Sequence, residues 1–151
     1  MVIEKATVLD AQRILGLQKL AYISEAEIYN DFTIPPLFQT LAEIEDEFTT
    51  HVFLKAALDG TLVGSVRAYE KNKTCHIGKL MVHPEFRKQG LGARLVTEME
   101  ACFATSDRYE LFTGHKSEKN ISLYKKLGYT IFKTEAASSL LCFIYLEKVK
   151  G

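Results

Sequence analysis

Leu80-Met81-Val82-His83-Pro84-Glu85-Phe86-Arg87-Lys88-Gln89-Gly90-Leu91-Gly92-Ala93-Arg94-Leu95 is the stretch from which the rest of the chain can be read. An apolar run stops at His83-Pro84, a basic Arg-x-x-Gly-x-Gly turn follows, and Leu91, Leu95, Met99 and Cys102 then recur on one face of a helix. Glycines in such a turn permit close backbone approach, and the first amides of the helix lack intrahelical acceptors. Those amides and the helix dipole favour a phosphate or pyrophosphate, to which Arg87 and Lys88 add long-range attraction. No Gly-Lys-Ser/Thr follows and the spacing is not Gly-x-Gly-x-x-Gly, which excludes a Walker loop and a dinucleotide fingerprint. Taken alone, the residues fit an ordinary helix-entry turn equally well.

Upstream, Val2 to Thr7 reads as a strand, and Asp10 as the N-cap of a helix carrying Ile14, Leu17, Leu20 and Ala21 and ending near Tyr29. Asn30 to Pro36 is a loop, and Leu37, Leu41, Ile44 and Phe48 give a second amphipathic helix. Val52 to Leu58, Asp59-Gly60 and Leu62 to Tyr69 form a hairpin, followed by a strand over Thr74 to Val82. Downstream come a strand at Arg108 to Thr113, a short helix at Asn120 to Leu127 stopped by Gly128, and strands at Tyr129 to Lys133 and Leu140 to Glu147. The order β-α-α-β-β-β-α-β-α-β-β predicts an α/β (α+β) domain over residues 1–151, with a mixed sheet and helices on both faces.

The 151 residues are 47% hydrophobic and 25% charged, the composition of an ordinary globular chain. The longest apolar run, Leu140 to Leu146, is too short for a bilayer span, which needs roughly 20 residues, and the N-terminus has no signal-peptide layout, so a cytoplasmic protein is expected. Cys75, Cys102 and Cys142 have neither disulfide-framework nor metal-ligand spacing and read as small core residues; no metal is expected. Charge is balanced at 19 basic and 19 acidic residues, which argues against a nucleic-acid binder. Seven acids and no Lys or Arg lie between Leu20 and Leu54, leaving 19 basic against 12 acidic residues elsewhere, a net of +7. This asymmetry suggests two kinds of ligand.

A second constellation is Asn120-Ile121-Ser122-Leu123-Tyr124-Lys125-Lys126-Leu127-Gly128-Tyr129, in which Asn120 and Tyr124 share one helix face while Leu123 and Leu127 can enter the core. With both stretches in order, the sequence resembles the GCN5-related N-acetyltransferase (GNAT) family. The likeness rests on a Val-x-Pro-x-x-Arg-x-x-Gly-x-Gly pattern and, some 30 residues later, an Asn-x-x-x-Tyr-x-x-x-Gly-Tyr pattern, and it extends over the whole chain. It implies a mixed, mostly antiparallel sheet of about seven strands flanked by four helices, and acetyl-CoA as cofactor. The coenzyme pyrophosphate would lie on the amides of Lys88, Gln89, Gly90, Leu91, Gly92 and Ala93, beside Arg87. Its pantetheine would run along Leu80, Met81 and Val82, in a cleft opened where that strand splays from the next. Asn120 is similar to the family residue that binds the pantetheine arm, and Tyr124 to the one that protonates the departing thiolate.

These residue types suit the chemistry. A lysine-like amine of pKa about 10.4 is only about 0.04% neutral at pH 7, so a proton acceptor helps it attack a thioester. His76 stands where some family members carry a glutamate base; ordered water is the alternative, and Glu70 and Glu25 are weaker candidates. A Met81 or Val82 amide could polarise the thioester carbonyl. The acidic N-terminal region would attract a cationic amine, with Glu25 as charge and Tyr22, Tyr29 and Phe32 as walls, although Glu43 to Glu47 also fit a solvated helix face. The expected partner is a small-molecule or peptide amine, not nucleic acid or membrane, with homodimerisation left open. A non-catalytic acyl-CoA sensor of the same fold is the competing expectation.

Overall fold

A computed structural model describes residues 1–150. The elements, in chain order, are β1 (Val2–Lys5), α1 (Ala11–Tyr29), α2 (Leu41–Glu47), β2 (Val52–Leu58), β3 (Thr61–Lys71), β4 (Thr74–Val82), α3 (Leu91–Cys102), β5 (Arg108–Gly114), α4 (Glu118–Lys126), β6 (Thr130–Ala136) and β7 (Cys142–Val149). The strands form one seven-stranded sheet in the order β1-β2-β3-β4-β5-β7-β6, antiparallel throughout except for β4 and β5. The element order expected from the sequence is the one observed.

Each face is covered because each long helix has an apolar stripe. On one face Leu91, Leu95, Val96 and Met99 of α3 bury against Val63, Val66, Ala68, Cys75 and Ile77. On the other, Ile14, Leu17 and Ala21 of α1 pack on Phe53, Leu62 and Met81. Gly64 of β3 lets α3 approach closely, since a Cβ there would lie 2.9 Å from Leu95 Cδ1. None of the described helices is long and apolar enough to cross a membrane.

Four local expectations are corrected. Asp10 does not cap α1 with its side chain; it closes a capping box with Thr7 over a one-turn helix at Val8–Asp10. The carboxylate is also held by Lys55 at 3.0 Å, a contact hidden in the sequence by a separation of 45 residues. The second helix splits: Pro35–Leu37 makes a single 3-10 turn, and α2 begins only at Leu41, where a Thr40/Glu43 capping box closes its first turn. Leu140 lies outside β7, because Ser138 Oγ accepts the amides of Leu140 and Leu141 and turns the chain there. Of the cysteines only Cys75 is a core residue; Cys102 ends α3 exposed, where Phe103 packs against the core, and Cys142 is half-buried.

Candidate active site

Strands β4 and β5 begin side by side and then part. Thr74, Cys75 and His76 pair with Arg108, Tyr109 and Glu110, and there the pairing stops, although β4 runs on to Val82 and β5 to Gly114. The backbone between them therefore opens as a fork. β4 is also bulged: Ser65 faces Met81 and Arg67 faces Gly78, so β4 carries an extra residue across this step. Lys79 takes up the irregularity with φ 49°, and neither Lys79 nor Leu80 has a partner in β3.

The ladder decides which amides face the fork. His83 donates to Val63 O at 2.8 Å, and Val82 and Met81 follow opposite Gly64 and Ser65. Antiparallel alternation turns the Met81 amide back to β3 and leaves that of Val82 facing the opening. Of the two amides expected to polarise a carbonyl, Met81 is thus withdrawn, and Leu80 in the bulge joins Val82 as an available donor.

Above the fork, the turn into α3 makes a backbone cradle. Lys88 and Gly90 adopt φ 65° and 77°, and Gly90 caps α3 without a side-chain hydrogen bond, so the amides of Leu91, Gly92 and Ala93 open the helix. Leu91 contributes only its backbone, since its side chain is buried; Lys88 and Gln89 are exposed. Gly92 has a second use beside the one its motif suggests. A Cβ there would lie 3.2 Å from Leu123 and 3.6 Å from Leu80, so this glycine admits close packing of α4 and β4. Arg87 also departs from a simple anion role: it donates to Val82 O (3.2 Å), Ser24 Oγ (2.8 Å) and Ala21 O (3.1 Å), tying the turn to α1.

The C-terminal half of α1 is fastened equally to the β5 side. Ser117 Oγ donates to Glu25 at 2.7 Å, and Lys116 N donates to the Tyr29 hydroxyl at 2.9 Å. Tyr29 lies so close to the end of β5 that a Cβ on Gly114 would fall 1.9 Å from its hydroxyl. Tyr29 is therefore a buried strut, and Phe32, 52% exposed in the following loop, is not gathered into the site.

Tyr124 projects from α4 and is buried. Burial raises its phenol well above the ordinary value, and the nearby Tyr22 and Glu25 add to the rise, so it remains protonated at neutral pH. Tyr22 is pushed up to about 12, first by burial and then by Glu25, with Arg67 opposing. These shifts put Tyr22, Glu25 and Tyr124 in one electrostatic neighbourhood. Asn120, in the first turn of α4, donates one amide proton to Thr113 Oγ1 of β5 at 3.3 Å.

His76 sits on the last paired rung before the fork. Its ring stacks on Tyr69 (centroids 4.8 Å apart, 14° between planes), and Nδ1 lies 3.6 Å from Glu110 Oε2. Glu70, by contrast, accepts from Ser106 and pairs with Cys75, beyond His76 from the fork. Two of the four acids of α2 are committed elsewhere: Glu43 is the Thr40 cap, and Glu47 pairs with Arg67 (2.6 Å) and Lys79 (3.6 Å). Burial, followed by Arg67, lowers Lys79 to about 8 despite Glu47. The carboxylates left beside the fork are Glu25 and Glu110, and Glu110 was missed because a parallel register cannot be read from separate strands.

Comparison with known proteins agrees with this geometry. The acetyltransferase (GNAT) family pattern matches residues 16–129. The UPF0157 protein YqkA of Bacillus subtilis (strain 168) is 30% identical over 137 residues; these are 89% of this chain, which spans only 39% of that relative's length. Among solved structures, PaiA N-acetyltransferase from Thermoplasma acidophilum in complex with coenzyme A superposes with a TM-score of 0.78 at 17% identity, covering 99% of this chain and 100% of that one. An aminoglycoside 6'-N-acetyltransferase complexed with coenzyme A gives 0.77 at 19% identity, covering 99% and 97%. At these identities the two structures establish a shared fold. The forked sheet, the glycine turn and the sequence match together place the chain in the acetyltransferase (GNAT) family.

Proposed function

We propose that this chain transfers the acetyl group of acetyl-CoA to a primary amine of a small molecule or peptide by direct attack on the thioester. The observation that carries the reading is the fork between β4 and β5, bordered by the α3 amide cradle, a protonated phenol and a carboxylate-flanked imidazole. When bound, acetyl-CoA supplies an activated acyl group and a thiolate leaving group.

The residues present fit that donor. The amides of Leu91, Gly92 and Ala93 suit a pyrophosphate, and the left-handed Lys88 and Gly90 shape the turn around it. The fork-facing amide of Val82 and the uncommitted donor and acceptor of Asn120 suit the amides of an extended arm. The Leu80 and Val82 N–H groups are the available donors to charge growing on a carbonyl oxygen. His76 Nε2 takes a proton from the acceptor ammonium, leaving the electron pair on nitrogen for attack. The Tyr124 hydroxyl gives its proton to the departing sulfur and recovers one from the newly acylated nitrogen. Tyr22 and Glu25 line the acceptor side, where Glu25 attracts a cation.

The test is thiol release from acetyl-CoA across a panel of primary amines, with mass spectrometry of the products. Amine-dependent release with a 42-Da gain on the amine supports the reading, 42 Da being about one acetyl group in place of one hydrogen. Coenzyme A binding without release from any amine would favour the non-catalytic sensor instead. Absence of a thermal shift with millimolar coenzyme A would sink both, since a ligand at 100 times its Kd stabilises by about 2.7 kcal/mol.

A further inference from the structure

We infer that Glu110 is the positioning residue of a carboxylate–imidazole pair, orienting His76 as proton acceptor; the inference rests on the transfer chemistry proposed above. Parallel register sets the two side chains next to each other on the last rung before the fork, with Glu110 Oε2 3.6 Å from His76 Nδ1. The other oxygen, Oε1, accepts from Arg108 Nη1 at 2.8 Å, and Arg108 is itself anchored by Nε to Glu147 at 2.7 Å and lies 4.7 Å above the Phe132 ring. Tyr69, directly opposite His76 in β3, holds the imidazole by stacking, and His51 packs edge-on against Tyr69 with centroids 5.0 Å apart. The ring is thus clamped between two neighbouring strands, with Nδ1 facing a carboxylate oxygen.

The consequence is chemical. A carboxylate against Nδ1 keeps the neutral ring's proton there, leaving the Nε2 lone pair to receive one. When Nε2 is protonated, the N–H bond of the acceptor ammonium breaks, and the imidazolium formed is stabilised by Glu110. The proton then passes to bulk water, so no other reactant is needed. Arg108 holds Glu110 by its other oxygen, and is itself in register with Thr74, two residues before His76. The charged and titratable groups around His76 are therefore Glu110 and Arg108 from β5, Tyr69 from β3 and His51 behind it. A purely structural network of Arg108, Glu110 and Glu147 would predict no effect on the ring, because half-exposed ion pairs contribute little on their own.

The experiment uses the full chain with Glu110→Gln, Glu147→Gln and His76→Ala. Nitrogen NMR of the His76 ring, on ligand-free protein, should show the Nδ1–H tautomer in the wild type. In Glu110→Gln that bias should be lost; in Glu147→Gln it should persist. In the amine assay, Glu110→Gln should lose part of the roughly 10²- to 10⁴-fold that a positioned base contributes, with the acetyl-CoA KM unchanged. His76→Ala/Glu110→Gln should be no worse than His76→Ala. An unchanged tautomer in Glu110→Gln, or multiplicative losses in the double variant, would overturn the pairing. If no amine is acetylated, the transfer reading falls by itself, and the NMR measurement still decides whether Glu110 sets the state of His76.

Discussion

Gly114→Ala should destabilise the protein, and the sign is informative. Gly114 is not in the left-handed region, so alanine is compatible with its backbone, and reduced freedom of the unfolded chain would by itself stabilise by about 0.4–1 kcal/mol. Against that gain, the new Cβ would stand 1.9 Å from the Tyr29 hydroxyl oxygen, 2.6 Å from Cζ and 3.1 Å from Cε2. Ordinary carbon contacts are about 3.5–4.0 Å, so the buried ring must recede by roughly 1.5 Å. That withdraws the hydroxyl from Lys116 N and Ser117 Oγ, now 2.9 and 3.2 Å away. Two lost hydrogen bonds at about 1 kcal/mol each, and overpacking of about 1–3 kcal/mol, outweigh the entropic gain and leave a net loss of about 2–4 kcal/mol. At this chain length Tm should fall by about 5–15 °C, read by circular dichroism or calorimetry. A Tm at or above that of the wild type would refute the strut. In a Tyr29→Ala background, alanine at 114 should cost little, because the clashing atoms are gone; an undiminished loss there would place the strain elsewhere.

Tyr124→Phe should lower kcat by roughly 10²- to 10⁴-fold with the acetyl-CoA KM little changed, and full turnover across about pH 6 to 9 would remove the phenol from the reaction. Gly90→Ala forces a side chain into φ 77°, at a cost of roughly 1–2 kcal/mol, and should also raise the acetyl-CoA KM; an unaltered KM would make the turn merely structural. Lys79 sits near pKa 8 when folded against an ordinary 10.5, so between those values the unfolded chain holds a proton that the folded chain has released. Its contribution to stability therefore rises with pH. Denaturant unfolding should show wild type gaining on Lys79→Met from about pH 7.5 to 9.5, and a difference independent of pH would contradict the burial of that ammonium.

The strand, turn and helix around Arg87 to Gly92 were legible because their signals are local: an apolar run, glycines after a proline, then a helical repeat. Asn120 and Tyr124 were legible for the same reason, since four residues of separation on a helix fix a shared face. Features made by register were not. The bulge falls on Lys79, a lysine rather than a glycine, so nothing in its type announces a positive φ. The end of pairing at His76 and Glu110 reflects how β4 and β5 pack, and neither strand encodes the place where they part. Arg87 looked like a phosphate ligand because Ser24 and Ala21 are more than 60 residues away. The acids of α2 fitted a solvated helix face, yet Glu47 is paired with Arg67 and Lys79, bases that lie beyond the acidic stretch in the sequence.

Arg87 joins the turn that opens α3 to the C-terminal half of α1, while Ser117 and Lys116 hold that same half to the opposite lip of the fork. Mechanically, the glycine turn and the C-terminal half of α1 are one piece. An anion that quiets the loop must then quiet α1, and amide hydrogen exchange over Ala21 to Tyr29 should slow when coenzyme A is added, although no atom of α1 belongs to the cradle. An amine arriving afterwards meets a wall whose freedom has already been lost, so the two ligands should favour each other by the same factor in either order of addition. In Ser24→Ala, which loosens the link without touching the turn, that mutual preference should weaken while coenzyme A alone binds as before.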